Sequence, residues 1–289
     1  MSEIRGSVAV ITGAGSGIGR ALALNMAARG AQLALADVNA AALEETRKML
    51  GAANARTYVV DVSSALAVQD LARCVEQDFG RASLLVNNAG VALFGTFTEL
   101  TLEEFEWLMR INFSGVVYGC KFFLPLLLKE KDARIVNVSS VFGLFGPPGQ
   151  TAYCSSKWAV RGFSESLREE LRATSVKVTC VHPAGIATNV AVNARLGAAT
   201  RPADHDVALE RFKKGAQIPP ASAAQTIVEG ILKDRDRVLI GRDAYFIDRL
   251  ARLIPARASA MLTNWLMKRT ENKQADAPAP APSDSKAAS

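Results

Sequence analysis

Tyr153 and Lys157 stand four residues apart in the run Tyr153-Cys154-Ser155-Ser156-Lys157, and Ser140 precedes the tyrosine by thirteen positions. Residues four apart share one face of a helix, one turn above each other. A phenol of pKa about 10 is a poor base near neutral pH, but an ammonium group held beside it favours the phenolate. A serine hydroxyl nearby can bind the oxygen of an alcohol or ketone while the tyrosine exchanges its proton. That is general acid–base chemistry. Near the N-terminus runs Thr12-Gly13-Ala14-Gly15-Ser16-Gly17-Ile18-Gly19. Spaced glycines let backbone approach a pyrophosphate, and a helix opening behind them aims free N–H groups at phosphates. Such a turn can seat a hydride carrier.

Taken singly, Tyr-x-x-x-Lys also describes a surface helix pair, and a glycine run also describes a loop. The elements around them decide. Apolar strands are expected at residues 8–11, 33–36, 57–60, 84–86, 134–138, 176–181 and 237–240. Between them fall amphipathic segments: 17–29, ended by Gly30, then 41–50, 66–79, a long stretch over 102–128, and the helix carrying Tyr153 and Lys157 to about Arg172. Continuous apolar strands separated by helices predict a doubly wound α/β fold, a parallel sheet of about seven strands covered on both faces. Ligands of such sheets bind beyond the strand C-terminal ends, where Asp37, Asp61, Asn88, Ser140 and Pro183 all fall. Asp37 ends the second strand eighteen residues after Gly19, where a carboxylate can bind ribose hydroxyls. Capping the next helix is its competing role, but Asn39 can also serve there.

At 289 residues, 49% hydrophobic and 21% charged, the chain is long enough for one sizeable α/β core. The net charge of +6 comes largely from arginines near the C-terminus, with no basic cluster interleaved with aromatics as in a nucleic-acid reader. Cys74, Cys120, Cys154 and Cys180, with His182 and His205, show no metal-ligand spacing, so free thiols and no metal site are expected. The N-terminal residues do not form a signal peptide, and no stretch reaches the ~18–20 apolar residues of a membrane span, so a cytoplasmic protein is expected.

With these motifs in this order, the chain resembles the short-chain dehydrogenases/reductases over roughly residues 7–240, in the compact subgroup with a Thr-Gly-x-x-x-Gly-x-Gly turn. The resemblance rests on that turn, Asp61-Val62, Asn87-Asn88-Ala89-Gly90, Asn112, Val138-Ser139-Ser140, Tyr153 through Lys157, and Pro183 through Thr188. It implies Tyr153 as acid/base, Ser140 as donor to the carbonyl oxygen, and Lys157 at the nicotinamide ribose, lowering the tyrosine pKa. It implies that Asn112 kinks the long helix and holds a water on the way to Lys157. It makes cofactor contacts of Gly13, Ser16, Gly17, Ile18, Gly19, Asp37, Asp61, Val62, Asn88, Ala89, Gly90, Tyr153, Lys157, Pro183 and Thr188. Ser139 competes with Ser140, but the family spacing favours Ser140. Pro183-Ala184-Gly185 departs from the family's Pro-Gly, which puts the shape of that loop in question.

The cofactor expected is NAD rather than NADP, because Asp37 would face a 2′-phosphate as like charge. Neither Val38 nor Ser16 is basic, and Arg20, on the following helix, is expected to point elsewhere. Leu93, Phe94, Val141, Phe142, Leu144, Phe145 and Val190 are the pocket candidates, with Phe94 and Phe142 beside Ser140 and Tyr153 as substrate contacts. Mostly apolar, they suggest a hydrophobic secondary alcohol or ketone. A dinucleotide-binding regulator without turnover is the alternative, disfavoured because all four catalytic positions are filled. Three regions are expected: 1–243 as the catalytic domain with a polar, irregular insert near 189–218, 244–270 as an amphipathic extension divided by Pro255, and 271–289 as a disordered Ala/Pro tail. The extension is expected to close over the pocket or pack in an oligomer, with a membrane-surface contact as the alternative. Surplus apolar residues on the two long helices, among them Val116, Val117, Phe122, Phe123, Trp158, Val160, Phe163 and Leu167, suggest a homodimer or homotetramer.

Overall fold

The structure, a computed structural model, describes residues 3–275 except 52–53, 189, 191, 203–205, 207–208 and 211–214, with side chains as far as residue 265. In chain order the elements begin β1 (Val8–Thr12), α1 (Gly17–Ala28), β2 (Gln32–Asp37), α2 (Ala40–Leu50), β3 (Ala55–Val59), α3 (Ala65–Phe79), β4 (Leu84–Asn87), β5 (Leu93–Phe94) and α4 (Leu102–Met109). A π turn (Arg110–Ser114) leads into α5 (Gly115–Leu127), β6 (Ala133–Val138), α6 (Thr151–Glu170), β7 (Val176–Pro183) and β8 (Arg195–Leu196). The chain continues through α7 (Pro220–Leu232), β9 (Arg237–Ile240), α8 (Arg242–Leu253) and α9 (Pro255–Ala275).

Seven strands form one parallel sheet in the order β3-β2-β1-β4-β6-β7-β9. Successive strand residues point to opposite faces. On β1, Ala9 and Ile11 therefore join Leu22 and Met26 of α1, Leu43 of α2 and Ile227 of α7 in one apolar layer. Val8 and Val10 join Leu71 of α3, Phe123 of α5 and Val160 of α6 in the other. Burying each such large side chain contributes roughly 1.5–3 kcal/mol. This is the doubly wound arrangement the strand pattern predicts. Its order reverses between β1 and β4, and the glycine turn opens at that point.

Three features differ from the sequence expectation. The helix expected over 102–128 is interrupted by the π turn, where the Gly115 N–H reaches the Arg110 carbonyl. The insert expected to be irregular contributes β8, which pairs in parallel with β5, and an Ile186–Ile218 bridge closes the insert's base. The last helix runs to Ala275 rather than ending at residue 270; residues 276–289 of the expected tail lie outside the described residues. Among the described residues, no helix is long and apolar enough to cross a membrane, and no cluster could hold a metal ion. The four cysteines are free thiols.

Candidate active site

The turn after β1 takes its shape from glycine. Gly13 and Gly17 have φ of +65° and +51°, which side-chain-bearing residues rarely adopt. A Cβ on Gly13 would come within 2.9 Å of the Ala89 Cα, and one on Gly17 within 3.1 Å of the Thr188 methyl. A Cβ on Gly19 would collide with the Gly13 carbonyl oxygen. Ser16 precedes α1 without a side-chain cap, so first-turn N–H groups of the helix face the turn without an intrahelical partner. The result is a backbone cradle between Asn88–Ala89 and Thr188, with the positive end of α1 behind it. Such a cradle fits a dinucleotide phosphate.

Thr12 ties this turn to β4. Its buried Oγ1 accepts the N–H groups of Asn88 at 3.0 Å and Ala89 at 3.1 Å. The Asn88 side chain returns a hydrogen bond to the Thr12 carbonyl at 2.9 Å. At the end of β2, Asp37 accepts the Gly15 N–H at 2.8 Å on one carboxylate oxygen and the Asn39 N–H at 2.9 Å on the other. Asn39 caps α2, so Asp37 is free of the capping role. Arg20 is turned into α2, donating to Thr46, Glu45 and the carbonyls of Gly15 and Ala42. Asp61 is exposed beyond β3, while Val62 packs against Gly115.

On the other side of the switch point, α6 brings Tyr153 and Lys157 beside Ser140. The Ser140 hydroxyl lies beside the Tyr153 phenol and favours its ionised form. It also accepts the Phe142 N–H at 3.2 Å, which caps the short 3-10 turn of Val141–Gly143. Ser139 donates to the Lys157 carbonyl at 2.8 Å and is taken up within the protein, while Ser140 is the serine that acts on the phenol. The Lys157 ammonium donates to the Val138 carbonyl at 3.0 Å and lies 5.6 Å from the centre of the Tyr153 ring. Burial disfavours charge on both. It pushes Tyr153 up to about 12, the Ser140 hydroxyl working the other way, and Lys157 down to about 8. Desolvation therefore sets the direction of the phenol's shift, and the phenol is neutral near pH 7.

Asn112 is fully buried in the π turn. Its Oδ1 accepts the Val91 N–H at 2.8 Å, and its amide donates to the Val91 carbonyl at 3.0 Å and to Ser156 Oγ at 3.2 Å. Both polar ends are thus engaged within the protein, so the side chain fixes the loop after β4 against α6. Asn112 Oδ1 and Lys157 Nζ both flank Gly90. Beneath them Asn87, Asn137 and Ser164 form a buried chain of hydrogen bonds. His182, fully buried on β7, has Nδ1 3.0 Å from the Ser140 carbonyl, and burial pushes it down to about 4. Thr12, Asn137, Ser156 and His182 were assigned no site role from the sequence. The legible signal was a polar residue inside an otherwise apolar strand, as at Asn137 and His182.

The pocket candidates separate. Val141, Leu144 and Phe145 are buried against Ala244, Ile247, Ala258 and Leu262 of α8 and α9, and Leu93 is buried with Leu108 and Ala152. They back the wall rather than line it. Phe142 stands edge-on to Tyr153 at 6.1 Å, and Phe94 is half-buried on β5, where its carbonyl accepts the Gly197 N–H from the insert. Val190 is exposed, and neighbouring insert residues lie outside the described ones. Ala184 bonds through its N–H to the Ile240 carbonyl, so the extra residue between Pro183 and Gly185 is held against β9.

The family model described as short chain dehydrogenase matches residues 7–198. A putative oxidoreductase, SadH, from Mycobacterium tuberculosis is 44% identical over 259 residues, 88% of this chain and 93% of that protein. Human estradiol 17-beta-dehydrogenase 11 is 33% identical over 90% of this chain and 83% of its own. Among solved structures, a short chain dehydrogenase/reductase from Burkholderia phymatum in complex with NAD superposes with a TM-score of 0.80 at 33% identity, covering 88% of this chain and 95% of that one.

Proposed function

The chain belongs to the short-chain dehydrogenase family of oxidoreductases, and we propose that it is an NAD-dependent enzyme interconverting a hydrophobic secondary alcohol and its ketone. The observation that carries this reading is the convergence of three side chains, Lys157 Nζ 5.6 Å from the Tyr153 ring and the Ser140 hydroxyl close enough to shift the phenol. Ser140 holds the substrate oxygen, and Tyr153 donates a proton to it in reduction or removes one in oxidation. A neutral phenol, which burial favours, is the proton donor that ketone reduction requires. Lys157, charged at neutral pH although buried, keeps positive potential beside that phenol and stabilises the phenolate that reduction leaves.

The residues that would hold NAD are the 13–19 turn at its phosphates, Asp37 at the adenosine ribose, Val62, Asn88 and Ala89 around the adenosine, Lys157 at the nicotinamide ribose, and Thr188 at the carboxamide. When bound, the nicotinamide supplies or accepts the hydride. Asp37 selects against a 2′-phosphate, since burying that charge beside a carboxylate without a cationic partner is costly. Arg20 does not offset this, because its donors are taken up by α2 and the Gly15 carbonyl. Phe142 and Phe94 give the substrate side its apolar character, in keeping with a relative named for estradiol.

Assaying the purified protein with NAD and with NADP against aliphatic, aromatic and steroid alcohols tests this reading. NAD is expected to be preferred at least ~10-fold in kcat/KM, which takes only ~1.4 kcal/mol, and Asp37→Ala should erode the preference chiefly by weakening NAD. Equal kcat/KM with both cofactors in the parent protein would refute the role given to Asp37.

A further inference from the structure

Helices α8 and α9 carry a surface that the chemistry at Tyr153 does not use. α8 buries Ala244 and Ile247 against the loop after β6. On its other side Arg242, Tyr245, Phe246, Arg249, Arg252 and Leu253 are all exposed, at the three- and four-residue spacing of a single helix face. Leu253 is 79% exposed, Phe246 46% and Tyr245 44%. Of the two acids of α8, Asp243 lies off this face, and Asp248, at its edge, bonds inward to Arg237 at 2.6 Å and along the helix to Arg252 at 3.2 Å. The pattern continues on α9, where Arg257 and Met261 are exposed one turn apart. Trp265, a turn further along that side, meets the Phe246 ring at 5.5 Å and joins the two helices into one surface.

We propose that this surface docks the protein on an anionic lipid bilayer, an interaction independent of the dehydrogenase reading. Arg242 and Arg249, with Arg257 on α9, leave the face positively charged beyond the Arg252–Asp248 bridge, which favours a partner of opposite charge. The aliphatic and aromatic side chains between them require one that also takes up apolar groups. A bilayer interface offers both, since guanidinium groups reach headgroup phosphates while Phe246 and Leu253 enter the acyl boundary. A nucleic acid answers the charge but not Leu253. A second copy meeting this face about a two-fold axis would set arginines against arginines. α8 leaves the sheet at the C-terminal end of β9, the same end at which the site opens, so a docked molecule holds its site near the bilayer.

Flotation of the full chain with vesicles of phosphatidylcholine alone, and of phosphatidylcholine mixed with phosphatidylserine, tests this. The protein should float with the mixed vesicles at low salt, be released at high salt, and stay behind with phosphatidylcholine alone. The double variant Arg249→Glu/Leu253→Asp should lose at least ~10-fold in vesicle affinity, with its unfolding temperature unchanged because both side chains are exposed. Failure of the parent to float with the mixed vesicles overturns the proposal, as does a double variant that floats equally well. A double variant that changes particle size while still floating would assign the face to contacts between copies and overturn it too.

Discussion

The Lys157 ammonium is buried, donates to one carbonyl and lies 5.6 Å from the Tyr153 ring, so its charge is held against a desolvation cost. Its pKa falls from 10.5 to about 8. In that window the unfolded chain binds a proton that the folded one does not, so folding stability rises with pH between 8 and 10.5. Lys157→Met removes the charge while keeping an apolar stem. At pH 7 it should raise stability by about 2 kcal/mol, the relieved desolvation less about one lost hydrogen bond, and the gain should shrink as pH climbs through the same window. Urea unfolding at neutral and alkaline pH checks this; a destabilised variant at pH 7 would contradict it. This pair was legible in the sequence because four-residue spacing alone puts two side chains on one helix face. The direction of their pKa shifts was not legible, since burial is set by what packs around α6.

The π turn and the loop after β6 do the positioning at the next scale. A π turn carries one extra residue per bonded ring and so changes which side chains point inward; here it buries Asn112 at full depth. Asn112→Ala would leave the Val91 N–H and carbonyl both without their partner, a cost of roughly 2–4 kcal/mol. A fall in the urea midpoint, accompanied by lost turnover, is the expected outcome, and an unchanged midpoint would show that the loop rests on other contacts. The kink was expected at Asn112, but its backbone form has no residue signature. Nor does the pairing of β5 with β8, because two-residue strands are too short to show a period and their partners are distant in the chain. The packing of α8 and α9 on Val141, Leu144 and Phe145 is likewise a long-range fact, although the helical spacing of Ile247, Leu250, Leu262 and their neighbours was plain.

Across the whole molecule, the parallel order was readable because strands buried on both faces appear as apolar runs, and every pocket-forming loop then falls at one end of the sheet. The homo-oligomer we propose would pair through the outer faces of α5 and α6. Val116, Phe123, Val160 and Leu167 turn into the core, while Val117, Phe122 and Phe163 are half-buried and Trp158 is 45% exposed. That remainder is more apolar surface than two solvent-facing helices need, and it favours pairing through them. Light scattering at micromolar concentration should give a dimer or tetramer, reduced toward monomer by Trp158→Glu; a monomeric parent protein would contradict this.

Tyr153 is the proposed proton-transfer group, a role separable from any contact it makes to the cofactor. The most direct measurement is therefore Tyr153→Phe, with turnover and NADH binding measured on the same preparation. Removing one hydroxyl should lower kcat by ~10²–10⁴-fold, the usual contribution of a general acid–base group, while the NADH Kd stays within a few-fold of the parent value. Turnover within a few-fold of the parent would contradict the assignment.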